Sequence, residues 1–342
     1  MNRNFRNGLI AISCMLILIL DSKTAVNGAV SGIEICLKTV IPSLFPFFVI
    51  SNILTSNFCS SDSCVLRFFS RVLNMPAEAA YLLIPSFFGG YPVGAQCIGY
   101  YYNEGYISKN NAEKMLGFCN NSGPSFIFGM LGNIFSEKWI PWTIWSIHIV
   151  SAVLVSRWFE NYERFELNRK TKKASITHAV LVSANVMGQV CAWVVLFRIV
   201  LTFLNRWVLW LFPTYLQILI QGIFELTNGC IGLVTIGNIN VRFILCTTML
   251  SLGGLCVALQ TASVTPGLSL KNYYWGKFFQ ASISALFAAA FTYKMWHVLI
   301  ILMVLLYIAP KLFLKKVDFF KKLMYNVPIQ FGRKEICSFE KR

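Results

Sequence analysis

Glu225 is the ionisable residue of this sequence that is best placed to do chemistry. It lies in the segment FELTNG, between apolar stretches and beside Thr227 and Asn228. A carboxylate inside an apolar segment is costly and normally marks a proton or cation pathway. If Glu225 lies deep in such a segment, it could carry a coupling proton or help to bind Na⁺ with those two neighbours. The alternative is a glutamate at an interface, at the end of a helix, and the sequence leaves both open.

A second polar cluster surrounds Pro124 in the segment CNNSGPSF. Pro124 interrupts an apolar run, and polar side chains at such an interruption can form a cap or bond to a neighbouring helix. Four polar side chains exceed what a simple kink needs, so we expect a turn that faces a bound substrate. These candidate binding residues are Asn120, Asn121, Ser122 and Ser125.

Two glycine pairs interrupt apolar segments, in FFGGYPVGAQ (87–96) and in LSLGGLCVALQ (250–260). The segments align without a gap, and a second match follows a few residues on, where EGYISKNN corresponds to PGLSLKNY. Small residues also serve close helix packing, but two ordered matches predict a duplicated unit with a broken helix in each copy. The paired positions are Gly89 with Gly253, Gly90 with Gly254, Val93 with Val257, Gln96 with Gln260, Gly105 with Gly267, Lys109 with Lys271 and Asn110 with Asn272. The substrate-facing candidates are Gly89, Gly90, Tyr91, Gly94, Gly253, Gly254, Gln260 and Thr261.

The elements that carry these residues must lie in a lipid bilayer. Of the 342 residues, 56% are hydrophobic and only 13% are charged, whereas a soluble domain has about 25% charged residues. The net charge of +16 is concentrated near the N-terminus, in a central loop and in the C-terminal tail, which the positive-inside rule places in the cytoplasm. Nucleic-acid binding is disfavoured, because neither aromatic-basic interleaving nor zinc spacing accompanies these charges.

The chain divides into an N-terminal membrane anchor (1–23), a first membrane repeat (24–159), a cytoplasmic basic linker (160–174), a second membrane repeat (175–310) and a basic cytoplasmic tail (311–342). We expect an all-α polytopic membrane protein with about eight to ten membrane segments. Each repeat is expected to begin with an amphipathic lead-in helix, at 24–39 and at 175–187, which leads into a span. The anchor lacks a good small-x-small cleavage site, and the tail is typical of a helix on an anionic lipid surface.

Duplicated halves with discontinuous helices are typical of secondary transporters, in which the halves are often inverted. Broken helices survive in hydrocarbon only where protein or a water-filled cavity surrounds them. Their N-terminal ends can hold an anion without a buried formal charge. No cofactor or metal is expected, because the three histidines and most cysteines lack ligand spacing and no phosphate-binding glycine loop occurs. Cys59 and Cys64 are the only close cysteine pair, and chance proximity is favoured over a metal or redox role.

The segment GGYPVGAQCIGYYYNEGYISKNNAEKMLGFCNNSGPSFIFGMLG resembles the YlbJ/SpoVV family of sporulation integral membrane proteins. The matching positions are Gly90 to Ala95, Glu104, Gly105, Phe118, Asn120, Ser122, Pro124 and Phe126 to Gly129. The resemblance implies a domain of the "Gate" type, shared with nucleoside-transporter-like proteins. It further implies transport of dipicolinate, a pyridine dicarboxylate, across the outer forespore membrane during endospore formation. Leu255 and Cys256 depart from the pattern, which has a small polar residue after the second glycine pair.

The leading hypothesis is therefore a secondary transporter of a small organic anion, with the bilayer and possible self-association as further partners. A nucleoside-like or other carboxylate substrate is the alternative within transport. A non-transporting scaffold for spore-envelope assembly is the alternative of another class. An enzyme is disfavoured, because no nucleophile–base pair or metal cluster is evident.

Overall fold

The computed structural model describes residues 3–57, 64–159, 162–163, 165 and 175–308. Within these ranges the chain is helical and contains no strand, which confirms the all-α prediction. The helices are α1 (Arg3–Leu20), α2 (Ser22–Ile35), α3 (Ile41–Asn57), α4 (Cys64–Leu73), α5 (Ala77–Phe88), α6 (Val93–Asn103), α7 (Lys109–Cys119), α8 (Pro124–Leu131), α9 (Trp139–Ser156), α10 (Ile176–Trp207), α11 (Thr214–Phe224), α12 (Leu226–Gly232), α13 (Ile239–Leu252), α14 (Gly254–Val264), α15 (Lys271–Thr292) and α16 (Trp296–Ile308).

Four helical segments are long and apolar enough to cross a membrane, and further apolar helices are shorter. The long segments are Ser22–Leu54, Trp139–Ser156, Ile176–Trp207 and Ile239–Val264. The shorter apolar helices are Asn4–Leu20, Thr214–Phe224, Leu226–Thr235 and Trp296–Ile308. The molecule is thus an all-α polytopic membrane protein, while the number of eight to ten segments stays a prediction.

In both halves the expected lead-in helix continues directly into the span that follows it. In the first half, α2 runs into α3 through a π-helical turn at Cys36–Val40, so that one helical segment extends from 22 to 57. Pro42 follows this turn and has no N–H to donate to the Lys38 carbonyl, which favours a locally wider turn. In the second half, the lead-in and the span form the single 32-residue helix α10.

The two long segments pack side by side through glycines. A Cβ on Gly28 would lie 2.9 Å from the Cα of Ile199, and a Cβ on Gly32 would lie 2.9 Å from the Cα of Val195. These glycines are four residues apart, so both face α10 and let the two backbones approach closely. This seam joins the first half of the chain to the second.

Paired glycines of the two halves share an unusual backbone conformation. Gly90 and Gly254 both have φ of +80°, and Gly105 and Gly267 have φ of +73° and +81°. The helices that follow the second pair begin at the matched lysines, α7 at Lys109 and α15 at Lys271. These matches support the duplication inferred from the sequence, whereas the inverted orientation of the halves and the boundaries of the repeats stay predictions.

The halves differ after the matched lysines. In the first half, α7 ends at Cys119 and α8 starts at Pro124, because proline is tolerated at the first position of a helix but not in its interior. In the second half, α15 continues unbroken for 22 residues. It packs against α7, α9 and α13, so the unbroken helix of one half lies beside the broken one of the other.

The polar parts of the chain are only partly described. Residues 166–174 of the predicted linker, the tail from 309 and Cys59 lie outside the described residues, so the predictions on them stay open. Glu163 is described and is tied to α7, since its backbone N–H donates to Asn111 Oδ1 at 2.9 Å. Hydrogen bonds from Ser108 and Asn110 hold the pKa of the Glu163 carboxyl below its ordinary value.

Candidate functional site

Two breaks of the first half pack directly against each other. The first lies between α5 and α6 at Gly89–Pro92 and contains a cis Tyr91–Pro92 peptide. The second lies between α7 and α8 at 120–123. A Cβ on Gly123 would lie 2.8 Å from the backbone nitrogen of Gly90, so only glycine permits this approach. The N-terminal ends of α6 and α8 are thereby brought together.

The second half repeats this arrangement with other residues. The break between α13 and α14 centres on Gly253 and Gly254, and a Cβ on Gly254 would lie 2.8 Å from the carbonyl oxygen of Gly222. Gly222 lies near the end of α11, just before the break at Glu225. Each glycine pair therefore packs against a second break within its own half.

Tyr91 connects the breaks of the two halves. Its hydroxyl donates to the carbonyl oxygen of Leu250 at 2.5 Å, and a Cβ on Gly253 would lie 3.6 Å from the same hydroxyl. The carbonyl of Leu250 lies in the last turn of α13, directly before the second glycine pair. The two glycine-pair breaks of the chain therefore lie next to each other.

A cavity of about 40 Å³ lies where the breaks converge. Predicted site residues from both halves line it together with apolar side chains of α3 and α10. Its lining comprises Val40, Leu44, Tyr91, Ser122, Gly123, Phe126, Val190, Val194, Glu225, Leu226, Thr227, Val257 and Gln260. The sequence candidates among these are Tyr91, Ser122, Glu225, Thr227 and Gln260.

Glu225 lies at a helix end and is also deeply buried, so neither of the two alternatives drawn from the sequence describes it fully. It is 3% exposed and caps the N-terminus of α12. Its carboxylate accepts hydrogen bonds from the backbone N–H of Thr227 at 3.0 Å and of Asn228 at 2.8 Å, and from Asn228 Nδ2 at 2.7 Å. Three donors and the positive end of the helix dipole stabilise this carboxylate inside the protein.

Arg198 provides the opposite charge for Glu225, and the sequence analysis missed it. It lies on α10, donates to Asn228 Oδ1, and is held from the other side by Ser31 Oγ at 3.0 Å. Asn228 thus bridges the guanidinium and the carboxylate. The available signal was an arginine within the apolar run VVLFRIVL, which is as costly inside a membrane as a glutamate.

The Asn120–Ser122 turn is embedded in a buried hydrogen-bond network. Asn120 Nδ2 donates to Thr261 Oγ1 at 2.7 Å, and Asn121 Oδ1 accepts from Gln280 Nε2 at 3.1 Å. The backbone N–H of Ser122 donates to His148 Nε2 at 2.9 Å. Thr261, predicted as a substrate residue, therefore contacts this turn rather than the cavity.

Two polar atoms of this turn have no hydrogen-bond partner. Asn120 Oδ1 and Ser122 Oγ are both fully buried and unpaired. Buried polar atoms are nearly always hydrogen-bonded in folded proteins. The unpaired Ser122 hydroxyl, in the cavity wall, marks a position where a bound polar group would be stabilised.

The remaining candidates lie around the cavity rather than in its wall. Gly94 packs on the carbonyl oxygen of Cys119, where a Cβ would approach to 2.1 Å, and Gly89 packs on Val93. Ser125 donates to the carbonyl oxygen of Ser43 at 2.6 Å. It lines a second, open cavity of about 600 Å³, here called the vestibule. The vestibule is lined by Lys38, Thr39, Pro42, Ser43, Ser125, Phe126, Gly129, Met130, Asn133, Ile134, Ile231 and Val234.

Lys277 on α15 is a further charged residue that the sequence analysis missed. It is 2% exposed, its Nζ donates to Gln280 Oε1 at 2.8 Å, and this Nζ lies 5.2 Å from the centre of the Tyr91 ring. Among the described residues, no carboxylate lies within 4.0 Å of this amine. Its signal in the sequence was a single lysine inside the aromatic run YYWGKFF.

Helices break at four places around one small cavity that has five polar residues in a largely apolar wall. The class of this molecule is therefore an all-α polytopic membrane protein with broken helices around a central cavity. The chain is similar to the sporulation integral membrane protein YlbJ of Bacillus subtilis (strain 168). The two are 25% identical over 348 residues, which covers 86% of this chain and 84% of that protein. This similarity confirms the predicted resemblance to the YlbJ family. No family model and no solved structure matches the chain.

Proposed function

We propose that this chain is a secondary transporter of a small organic anion in sporulating cells, with dipicolinate as its substrate. The observation that carries the proposal is the convergence of four helix breaks, two from each half, on one buried cavity with polar residues in its wall. Broken helices at the interface of repeated halves are where secondary transporters bind their substrates.

The chemistry of the cavity wall suits carboxylates. The hydroxyl of Ser122 is free to donate, and the start of α8, at Gly123 and Phe126, lines the cavity with the partial positive charge of a helix N-terminus. These groups can hold an anion at membrane depth, where the carboxylate would otherwise lose its hydration without compensation. A purely apolar cavity would carry no such selectivity.

The cavity is small in this conformation. About 40 Å³ is room for about three water molecules, which is too little for a pyridine dicarboxylate. Substrate binding therefore requires the halves to move apart, as alternating access requires. Phe126 lies in the wall of both the inner cavity and the vestibule, so its ring is the barrier that has to move on that side.

Glu225 supports proton coupling in this proposal. Its carboxylate lines the same cavity and repels an incoming anion, because two like charges at close range interact strongly in a medium of low dielectric constant. Protonation of Glu225 removes this repulsion. We therefore expect a proton to accompany the anion, with Thr227 and Asn228 holding the side chain in place in both states.

The name of the similar protein supports a role in sporulation. A dipicolinate transporter of this kind would work in the membrane derived from the mother cell, the outer forespore membrane, with its termini in the cytoplasm. A nucleoside-like substrate is the alternative within transport, and competition between labelled dipicolinate and an unlabelled nucleoside for the purified chain distinguishes the two.

The proposal is tested by uptake of labelled dipicolinate into liposomes that contain the purified full chain. Ser122→Leu places an isobutyl group in the cavity and removes the unpaired hydroxyl, so we expect uptake to fall to background while the protein still inserts. The matched control is Ser282→Leu on the exposed surface of α15, which should transport normally. Normal uptake by Ser122→Leu, or none by the inserted wild-type protein, would refute the proposal. A deletion strain whose spores keep their dipicolinate content would also refute it.

A further inference from the structure

We infer that Lys277 recognises a carboxylate of the substrate and makes the site selective for anions over neutral molecules of the same shape. This inference rests on the proposed transport function and goes further by naming the residue that recognises charge. It also excludes neutral nucleosides as preferred substrates.

The first observation is the charge balance of the buried residues. Among the described residues, Arg157, Glu225 and Lys277 are the charged side chains that are less than 4% exposed. Glu225 is compensated by three hydrogen bonds and, through Asn228, by Arg198. Arg157 lies elsewhere, where it donates to the carbonyl oxygen of Arg71 and stacks on Tyr307. Lys277 is thus the buried cation near the cavity that lacks an acidic partner within the described ranges.

The second observation is the position of Lys277 relative to the cavity. Its amine lies 5.2 Å from the centre of the Tyr91 ring, and Tyr91 is also part of the cavity wall. The amine also donates to Gln280, which in turn donates to Asn121, the residue before the unpaired Ser122. Lys277 is therefore separated from the cavity by a single side chain along one path and by a short polar chain along the other.

The third observation concerns what covers the amine. Tyr91 is held over Lys277 by the hydrogen bond from its hydroxyl to Leu250, which lies in the other half of the chain. Movement of the two halves during opening breaks or redirects this bond and uncovers the amine. A planar aromatic ring that bears a carboxylate can then take the place of the Tyr91 ring and supply the missing negative charge.

The physical reason for the inference is the cost of a buried, unpaired ammonium group. Its hydrogen bond to Gln280 and its contact with an aromatic face compensate only part of the lost hydration. At about 4 Å from the amine and an effective dielectric constant of about 20, the Coulomb attraction of a carboxylate alone corresponds to about a thousandfold in binding. The cost of removing water from the carboxylate lowers the net preference over an uncharged group to about tenfold or more. The selectivity for charge should disappear with the amine.

The experiment compares pyridine-2,6-dicarboxylate with its neutral isostere pyridine-2,6-dicarboxamide, in binding to the purified full chain in detergent micelles. We expect the wild-type protein to prefer the dicarboxylate by about tenfold or more. Lys277→Met should lose most of this preference, and Lys277→Arg, which keeps the charge, should retain it. Lys271→Met, at the exposed start of the same helix, is the matched control and should behave like the wild-type protein.

The outcomes separate this inference from the proposed function. If the wild-type protein binds neither compound, the proposed function fails and the inference fails with it. If the wild-type protein prefers the dicarboxylate and folded Lys277→Met keeps that preference, only the role of Lys277 is refuted. Should Lys277→Met not insert, Lys277→Gln and Lys277→Arg decide the question: a preference kept by the arginine and lost by the glutamine supports the inference, and any other pattern overturns it.

Discussion

Gly254 and Gly267 provide a comparison that isolates the packing of a helix break from the strain of its backbone. Their φ angles are +80° and +81°, so an alanine at either position bears the same left-handed conformation. Their surroundings differ. A Cβ on Gly267 would meet nothing within 4 Å, whereas a Cβ on Gly254 would lie 2.8 Å from the Gly222 oxygen and 2.9 Å from the Ile223 oxygen.

The magnitudes follow from these two contributions. The left-handed conformation costs about 1–2 kcal/mol for a residue with a Cβ, and this is the whole effect expected for Gly267→Ala. Gly254→Ala adds the overlap with two backbone oxygens, which cannot rotate away, at about 1–3 kcal/mol. We therefore expect Gly254→Ala to destabilise the protein by about 2–5 kcal/mol and Gly267→Ala by about 1–2 kcal/mol.

Thermal unfolding of both variants, purified in the same detergent, measures the difference directly. A larger loss for Gly254→Ala supports close contact between the α13–α14 break and the end of α11. Equal losses at the two positions would refute that contact and, with it, the convergence of the breaks in the second half. If neither variant is destabilised, the left-handed conformations themselves are wrong.

Three further predictions concern the stability of the site and its supports. Glu225→Ala leaves three buried donors unpaired and should lower the free energy of unfolding by at least about 3 kcal/mol. The control Asn238→Ala, at an exposed helix cap, should lower it by about 1 kcal/mol. Equal losses for the two variants would contradict burial of the Glu225 carboxylate. Tyr91→Phe removes the hydrogen bond to Leu250, so it should destabilise the closed form by about 1–2 kcal/mol and speed proteolysis at the helix breaks. An unchanged cleavage rate would argue that the Tyr91 hydroxyl does not hold the two halves together. Gly28→Ala, at the seam between α2 and α10, should destabilise the protein by about 1–3 kcal/mol. The control Gly188→Ala, which faces open space on α10, should be neutral or stabilising by up to about 1 kcal/mol. A greater loss of thermal stability for Gly188→Ala than for Gly28→Ala would rule out the glycine seam.

The breaks were predictable from the sequence because their cause is local. Glycine and proline disrupt a helix wherever they occur, so Gly90, Pro124 and Gly254 reveal an interruption without any knowledge of the rest of the fold. The sequence also showed that Glu225 has apolar neighbours, which made its burial one of the two alternatives. Its role as the cap of α12 was not predictable, because a cap depends on where the preceding helix ends.

The charged partners were not predictable in the same way. Arg198 is 27 positions from Glu225 along the chain, counted as 225 minus 198, and Lys277 is 186 positions from Tyr91, counted as 277 minus 91. Only the tertiary fold brings these residues together. The amphipathic pattern predicted the lead-in at 175–187, but such a pattern does not show where a helix ends, so the length of the single helix α10 became clear only from the structure.

The left-handed glycines also determine how the predicted duplication can persist as its two copies diverge. A position with φ near +80° accepts only glycine without a penalty, whereas the helical positions between Gly90 and Gly105, or between Gly254 and Gly267, accept many apolar residues of similar volume. Substitutions therefore accumulate in the helices and are removed at the glycines. Over time the common origin of the two halves becomes visible as an interval between glycines, 15 positions in one copy and 13 in the other (105 minus 90 and 267 minus 254), long after the sequences between them have ceased to align.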